Sequence, residues 1–438
     1  MGAVLGAWLL AVALPGGLLA QEAAGTASAY GPVDDLAKAD RPEPPLAIPP
    51  QLDRAASLAA ATHPLVGGAQ AEADALEAET RGARWARFPS LSAEALAATS
   101  GSNVADRDGL ALNAALEQPI WYGGRISGEI DRAEANQLAG EGRVDAARQG
   151  IVFRVIQAYY DYAMAEERLS VLRFSLRQHN ELLASIGRRV EQEVSPRADL
   201  TLGRSRTAQV ELDLATAEEM RDNARTRLLE LTGGVVIDPV LPLPDVADLL
   251  PPEDLALAEA MACDPNLGVL THLVTAAEAQ SDIARAQLLP QLLLQLSQNE
   301  ITGARAALVL RMRLGPGGAQ LASIESADAR IKRALADYGD AERQVREQLR
   351  RDYIVVRAAR ARIDAGVLAA DAADQIVESY RRQFIAGRRS WLDVMNAVRE
   401  AASARLTASD ARVMAAMGSA RILARTCRWQ PVMPEAQP

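Results

Sequence analysis

The residue types that most often perform chemistry are scarce and scattered in this chain. It has two cysteines, Cys263 and Cys427, which in an oxidising compartment can form a disulfide; two buried free thiols are the alternative. Zinc ligands are usually gathered by HExxH or CxxC spacing, and no such spacing occurs around any histidine. The histidines are His63, His179 and His272. We therefore predict no metal site.

Motifs for covalent or phosphate chemistry are also missing from the sequence. There is no GxSxG nucleophile turn, no phosphate loop ending in GKS or GKT, and no pair of carboxylates in a plausible cleft. The glycine-rich segment 315–318 is better interpreted as a turn from a strand into a helix. The sequence therefore predicts a protein that is not an enzyme and needs no cofactor.

Composition excludes one further class of function. The 438 residues include 57 acidic and 47 basic side chains, for a net charge of -10, whereas a nucleic-acid binder needs a basic surface. Aromatic residues make up only 4% of the chain. Few large rings and many alanines favour narrow seams between helices over one thick globular core.

The first twenty residues carry no charged side chain and end in a cluster of helix breakers, 15–17. We predict a signal peptide over 1–20, followed by a Pro-rich segment over 21–50. An N-terminal membrane anchor or a disordered start is the alternative, since the segment lacks an initial Lys or Arg. No later segment approaches the roughly 20 apolar residues of a spanning helix, so a membrane-embedded mature protein would need strands.

An internal duplication organises the rest of the chain. Matching residues recur at constant spacings, 201 positions before the glycine pairs and 194 from the glycine pairs onward. We predict repeat 1 over 51–232, a Pro-rich linker over 233–252, repeat 2 over 253–427 and a tail over 428–438. The matching pairs are Pro64 with Pro265, Pro89 with Pro290, Gly124 with Gly318, Tyr159 with Tyr353, Asp199 with Asp393 and Leu229 with Leu423.

Each repeat contains one segment in which apolar and polar residues alternate at period two, 88–121 and 290–315. This pattern predicts half-buried strands. Each segment is divided by a turn, so the two segments provide four strands of about ten residues, a length that crosses a bilayer when the strand is tilted.

The period changes after each glycine pair. Apolar residues then recur every seven positions, as in Ile151, Ala158 and Ala165, which indicates a coiled coil. The long helices predicted over 125–190 and 318–384 would each be roughly 100 Å long at 1.5 Å per residue. Shorter helices flank them and, stacked end to end, match their length; they are predicted over 64–87, 196–232, 265–288 and 390–427.

Four strands cannot close a barrel, and lipid does not tolerate an open sheet edge. Several copies must therefore combine, and three copies provide twelve strands, within the normal size range. Physics alone permits other multiples. The predicted fold class is an α+β membrane protein: a trimeric 12-stranded β-barrel, four strands per protomer, continued by a long α-helical coiled-coil tunnel built from two repeats.

Three segments resemble motifs of the TolC outer-membrane factor family: 118–125 after a strand, 189–200 at the first helix turn, and 387–397 at the second. The resemblance covers essentially the whole mature chain. The sequence of 387–397 is most similar to that of members that serve type I secretion of large adhesins.

The resemblance implies a homotrimer in the outer membrane, in contact with lipid, with its helical tunnel in the periplasm. It also implies a periplasmic adaptor, an inner-membrane ABC or other exporter, and an exported protein or small molecule as cargo. The alternative is a periplasmic coiled-coil adaptor or scaffold. Such a protein would carry one hairpin interrupting compact β-domains, whereas here two equivalent hairpins each follow a strand pair.

The resemblance further implies a gate at the periplasmic end of the tunnel. Arg389 would bridge to Asp199, and Asp393 would form a ring of carboxylates narrowing the bore. Phe384 stands where the family has a tyrosine hydroxyl, and Asn396 where it has a second acidic ring, which implies a looser gate with weaker attraction for cations. Without the family, such charges are more simply solvated helix caps.

Overall fold

The computed structural model describes residues 45–98, 109–242, 249–299, 303–312 and 318–431. The predicted signal peptide 1–20, most of 21–50, residues 99–108 with most of the turn predicted there, and most of the tail 428–438 lie outside these ranges. Within them the chain forms two matching sets of elements. The first set is α1 (Pro50–Thr62), α2 (Pro64–Trp85), β1 (Ser90–Ala98), β2 (Gly109–Trp121), α3 (Arg125–Glu191) and α4 (Arg197–Leu231). The second set is α5 (Glu253–Cys263), α6 (Pro265–Ala286), β3 (Gln291–Asn299), β4 (Gly303–Arg311), α7 (Ala319–Ile385) and α8 (Trp391–Arg425).

A residue with left-handed backbone conformation stands just before and just after each of the two long helices. Gly124 (φ 89°) and Gly318 (φ 80°) precede α3 and α7, while Glu193 (φ 60°) and Gly387 (φ 72°) follow them. A residue in this conformation cannot continue a right-handed helix. Both long helices therefore have the same length, 67 residues.

In each repeat a proline separates two short helices, α1 from α2 and α5 from α6. Pro64 and Pro265 each occupy the first helical position, where their missing N–H costs nothing. The preceding residues, His63 and Asp264, are held in extended backbone, which ends α1 and α5. Asp264 also caps α6, because its side chain accepts hydrogen bonds from the next helix's first N–H groups at 3.0 and 3.1 Å.

The helices α2 and α6 end before the positions 87 and 288 predicted from sequence. Each is followed by a tight turn, with Phe88 N–H donating to the carbonyl of Trp85 at 2.9 Å and Leu289 N–H to that of Ala286 at 3.1 Å. These turns redirect the chain from a helix into a strand.

The four strands form one antiparallel sheet in the order β1-β2-β3-β4. Leu294 faces Leu308 across the β3–β4 pair, so apolar residues share one side of the sheet. On the other side Gln295 faces Glu117 and donates to its carboxylate at 3.2 Å. The register shifts at Pro119, which has no N–H to donate to the ladder.

The long helices pack side by side. α3 lies against α2, α4, α6 and α8, while α8 lies between α3 and α7, so the long columns run in the order α4, α3, α8, α7. Residues of the heptad row on α3 are all buried in these contacts: Ile151, Ala158, Ala165, Leu172, His179 and Ile186. None of the described helices combines the length and apolar character needed to cross a membrane.

His179 lies within that row and behaves as a core residue. Its Nδ1 lies 2.9 Å from the carbonyl oxygen of Ser175, one turn earlier. Burial lowers its pKa below the ordinary histidine value. This environment is that of a packed neutral histidine.

Two equivalent tyrosines hold the linker between the repeats. The hydroxyl of Tyr159 accepts from Val240 N–H at 2.7 Å and donates to the Val240 carbonyl at 2.9 Å. The hydroxyl of Tyr353 donates to the carbonyl of Pro251 at 2.6 Å. Burial raises the pKa of each tyrosine to about 12, so both remain protonated donors. The duplication thus anchors the linker at two points, residues 240 and 251.

Candidate functional site

The candidate site is the tip, defined here as the two helix turns 192–196 and 386–390 with the helical residues beside them. Both turns use the same backbone geometry. Val194 N–H donates to the Arg189 carbonyl and Arg388 N–H to the Gln383 carbonyl, each at 2.8 Å. Ser390 then caps α8, where its hydroxyl accepts from Asp393 N–H at 3.2 Å.

Each turn delivers one carboxylate to the first turn of the following helix. Asp199 lies in the first turn of α4 and Asp393 in the first turn of α8. The positive end of a helix dipole favours an anion at this place by about 0.3–1 kcal/mol. Local folding alone therefore accounts for a carboxylate at both positions.

Arg389 is held within its own hairpin. Its guanidinium carbon lies 4.1 Å from the centre of the Tyr380 ring, and its nitrogens lie 3.4 Å from Gln383 Oε1 and 3.8 Å from Asp393 Oδ2. Among the described residues its polar contacts are these and do not include Asp199. The bridge from Arg389 to Asp199 stays a prediction.

Phe384 belongs to the core of the tip. It is 6% exposed and packs in one cluster with Leu182 and Ile186 of α3 and with Trp391 of α8. Arg189 of α3 lies over its ring, with the guanidinium carbon 5.2 Å from the ring centre. Sequence reasoning assigned no role to Arg189 or Tyr380. The sequence feature that could have identified them is that each lies within two turns of the end of a long helix.

Asp393 and Asn396 share a groove between α7 and α8. The groove has a volume of about 290 Å³. Asn396 is exposed and lies one turn after Asp393 on the same helix. The structure therefore brings Asp393, Asn396 and Tyr380 together and places Asp199 on the other hairpin. The lining residues are Ala373, Ile376, Tyr380, Asp393, Asn396, Ala397 and Glu400.

The two cysteines meet where α5 and α8 end. The structure pairs Cys263 with Cys427, and their Cα atoms are 6.2 Å apart, a separation that suits a disulfide. Beside them, Arg428 donates to both carboxylate oxygens of Glu259 at 2.8 and 2.7 Å. Trp429, two residues after Cys427, is also buried, with 3% of its surface exposed. We call the region of α1, α5, the linker and residues 427–429 the belt.

The charges and rings of the tip can attract ions and hold helices together. Within the described ranges, no three His, Cys, Asp or Glu side chains gather closely enough to hold a metal ion.

Comparison with known proteins identifies the same two-repeat arrangement elsewhere. The family model described as outer membrane efflux protein matches residues 55–234 and 256–422. The alkaline protease secretion protein AprF of Pseudomonas aeruginosa is 26% identical over 313 residues, 67% of this chain and 64% of AprF. The proteases secretion protein PrtF of Dickeya chrysanthemi is 26% identical over 319 residues, 68% of this chain and 69% of PrtF.

A solved structure shares the fold. The outer membrane protein VceC of Vibrio cholerae superposes with a TM-score of 0.75 and 19% identity, covering 86% of this chain and 96% of VceC. The family match extends across both repeats, and it confirms the predicted resemblance and the outer-membrane location. The chain belongs to the outer membrane efflux protein family.

Proposed function

We propose that this chain is one protomer of a trimeric outer-membrane channel, the exit duct of a tripartite export system. The observation that carries the proposal is the sheet. It has four strands, two open edges and one apolar side, and it continues directly into two helical hairpins. An open edge in lipid leaves backbone groups unpaired, so further copies must pair with β1 and β4.

Exposed apolar side chains support a place for the sheet in lipid. Leu91, Leu308 and Leu310 are exposed in a single protomer. Trp85 and Trp121 are exposed where strands meet helices, the position of the aromatic girdle in membrane barrels. Three copies of the sheet supply twelve strands, within the size range of known barrels.

The outer helical columns support assembly of the tunnel. Leu212 and Met220 of α4 and Ile354 and Leu368 of α7 are large, apolar and exposed. Because α4 and α7 are the two outermost long columns of the protomer, α4 of one copy can cover α7 of the next. Repetition of this contact closes a ring, as a head-to-tail interface does when its rotation is 120°.

The relatives support protein export. AprF and PrtF are both named for the secretion of proteases. We assign this chain to type I protein secretion, with a periplasmic adaptor, an inner-membrane ABC exporter and an exported protein as cargo; a large adhesin is one such cargo. Efflux of small molecules is the second candidate, because the family model is described as an efflux protein. A free adaptor or scaffold is disfavoured by the match over both repeats.

The tip is the proposed gate. Asp393 of three protomers would form a ring of carboxylates, which concentrates cations in a narrow bore. Arg389, already beside Asp393, would bridge to Asp199, while Phe384 packs the hairpins together. Asn396 supplies a neutral ring one turn further along α8.

Planar-bilayer recording of the detergent-extracted trimer tests this function. Asp393→Asn should lower cation selectivity, and Asn396→Asp should raise it by adding a second carboxylate ring. Arg389→Ala or Asp199→Ala should raise conductance. The double change should add little to the larger single effect, because members of one interacting pair are not additive.

A stable soluble monomer in detergent-free buffer would end the channel proposal. If every variant keeps wild-type conductance and selectivity, the tip charges are solvated helix caps and do not form a gate.

A further inference from the structure

Most of the phenylalanines in this chain hold an arginine of the other repeat. The chain has four phenylalanines, and three of them have a guanidinium carbon within 6 Å of the ring centre, a distance at which a cation is attracted to the ring face. We call these contacts the belt rung, the middle rung and the tip rung, and together the arginine ladder. They are Arg425 over Phe153 at 4.5 Å, Arg405 over Phe174 at 4.7 Å and Arg189 over Phe384 at 5.2 Å.

Every rung joins the α3–α4 hairpin to the α7–α8 hairpin. The belt and middle rungs bring arginines of α8 onto rings of α3, and the tip rung brings an arginine of α3 onto a ring of α7. Phe174 also meets Arg177 of its own helix at 5.5 Å. The ladder therefore runs along the contact between the repeats, from the belt to the tip.

Carboxylates of α7 fix the first two arginines. Arg425 donates to Asp352 Oδ2 at 2.9 Å, and Arg405 pairs with Asp374. Charge-assisted hydrogen bonds of this kind are about twice as strong as neutral ones and hold the guanidinium plane in place. Both guanidiniums are thus held by a ring and by a carboxylate.

The tip rung has no such support. Among the described residues, Arg189 forms no salt bridge with a carboxylate, and its Nε is buried without a hydrogen-bond partner. It also has the longest distance between guanidinium and ring of the three rungs. A buried donor without a partner costs free energy, so this rung is the least stable of the ladder.

We propose that the tip rung is the latch that releases when the tunnel opens, while the two carboxylate-supported rungs keep the hairpins joined above it. This inference rests on the proposed channel function. Release of Arg189 from Phe384 gives its Nε access to water and loosens α3 from α7 at the tip, where Glu181 of α3 also pairs with Arg381 of α7 at 3.3 Å. Opening then proceeds from the tip and stops at the middle rung.

Ring fluorination at position 384 tests the latch without changing its shape. Phenylalanine carrying one, two or three ring fluorines keeps the packing but makes the ring face progressively less negative, which weakens its attraction for a cation. Conductance of the full-length trimer in planar bilayers should rise with each fluorine, about two- to fivefold in all. Arg189→Met combined with Phe384→Leu should raise conductance no more than the larger single change does.

The same fluorinated series at Phe174 is the matched control. There Asp374 still holds Arg405, so thermal stability should fall slightly while conductance stays at the wild-type value. Equal conductance across the series at 384 would overturn the latch, even if Phe384→Leu opened the tip, because packing alone would then explain the leucine result. Equal opening by fluorination at 174 would also overturn it. Failure of the unsubstituted trimer to conduct would instead refute the channel function.

Discussion

The helices α4 and α8 occupy matching places in the two repeats and have the same length, yet their surroundings differ. Both lie wholly within the described residues, and α4 buries six residues where α8 buries eighteen. α8 lies between α3 and α7, whereas α4 has only α3 beside it. One repeated sequence unit has therefore produced an interior column and an edge column, and in the proposed trimer another copy would cover the edge column.

The interior position coincides with a polar pair that repeat 1 lacks. In repeat 2, buried Asp352 binds Arg425. The residues 194 positions earlier are Ala158 and Leu231, a purely apolar pair. Burial raises the pKa of Asp352, while the guanidiniums of Arg425 and Arg421 act in the opposite direction. The second repeat thus depends on a buried charge pair at a point where the first depends on packing.

The largest expected effect comes from breaking that pair. Asp352→Ala should reduce the free energy of unfolding by about 3–5 kcal/mol, because it leaves the mostly buried Arg425 without its carboxylate. The measurement is the unfolding midpoint of the detergent-solubilised protein followed by circular dichroism.

The double change Asp352→Ala with Arg425→Leu installs the pair of repeat 1 and serves as the control. It should recover most of the loss, since an apolar pair can replace a buried ion pair. A double variant as unstable as the single one would show that the two repeats are not interchangeable at this contact.

The two repeats also differ in the belt, where only repeat 2 has a pair of cysteines. Cys427 is left-handed (φ 53°) where repeat 1 has Gly233 (φ 66°), and a Cβ atom on Gly233 would lie 3.9 Å from Thr62, the counterpart of Cys263. Cys263→Thr with Cys427→Gly, the pair of repeat 1, should lower stability by about 2–4 kcal/mol through loss of the cross-link. Intact-mass analysis with and without reductant before alkylation should show one disulfide in the wild type.

The reverse substitutions introduce the cysteine pair of repeat 2 into repeat 1. Thr62→Cys with Gly233→Cys should form a second disulfide in repeat 1, seen as a further mass difference on reduction. Free thiols at both Cys263 and Cys427 in the unreduced wild type would contradict the predicted bond.

A smaller effect is expected at the exposed face of α4. Leu212→Asp should weaken trimer assembly by about 1.5–3 kcal/mol per protomer, the contribution of one buried leucine, and leave the helix content unchanged. Native mass spectrometry measures the trimer fraction. Leu406→Asp, at the matching place on α8 beside Leu169 and Leu172, should instead destabilise the protomer itself. Identical outcomes for the two variants would remove the distinction between edge and interior columns.

Much of the fold was accessible from the sequence because its signals are local. Alternation at period two indicated the strands, and the seven-residue rows indicated the long helices. The left-handed Gly387 and the prolines at 64 and 265 mark helix ends through backbone sterics that need no partner. The trimer, the barrel and the gate residues remain proposals, since they depend on contacts between copies.

The site was less accessible. The sequence pointed to Arg389, and family resemblance suggested Asp199 as its partner. In the protomer the guanidinium of Arg389 meets Tyr380 and Asp393, and its bridge to Asp199 stays a prediction. At the tip, Arg189 of α3 reaches across the hairpins to the ring of Phe384. A guanidinium on a long flexible stem can reach many partners, so its type and spacing do not select one.

The sequence by itself determined the duplication, the lengths of the helices and the positions of their turns, because each depends on residues close together along the chain. Only the tertiary structure decided that α8 is an interior column and α4 an edge, and that three arginines stack on phenylalanines of the opposite repeat. Those outcomes depend on which helices become neighbours. Side chains far apart in sequence meet only after the columns have packed, and no local pattern records that order.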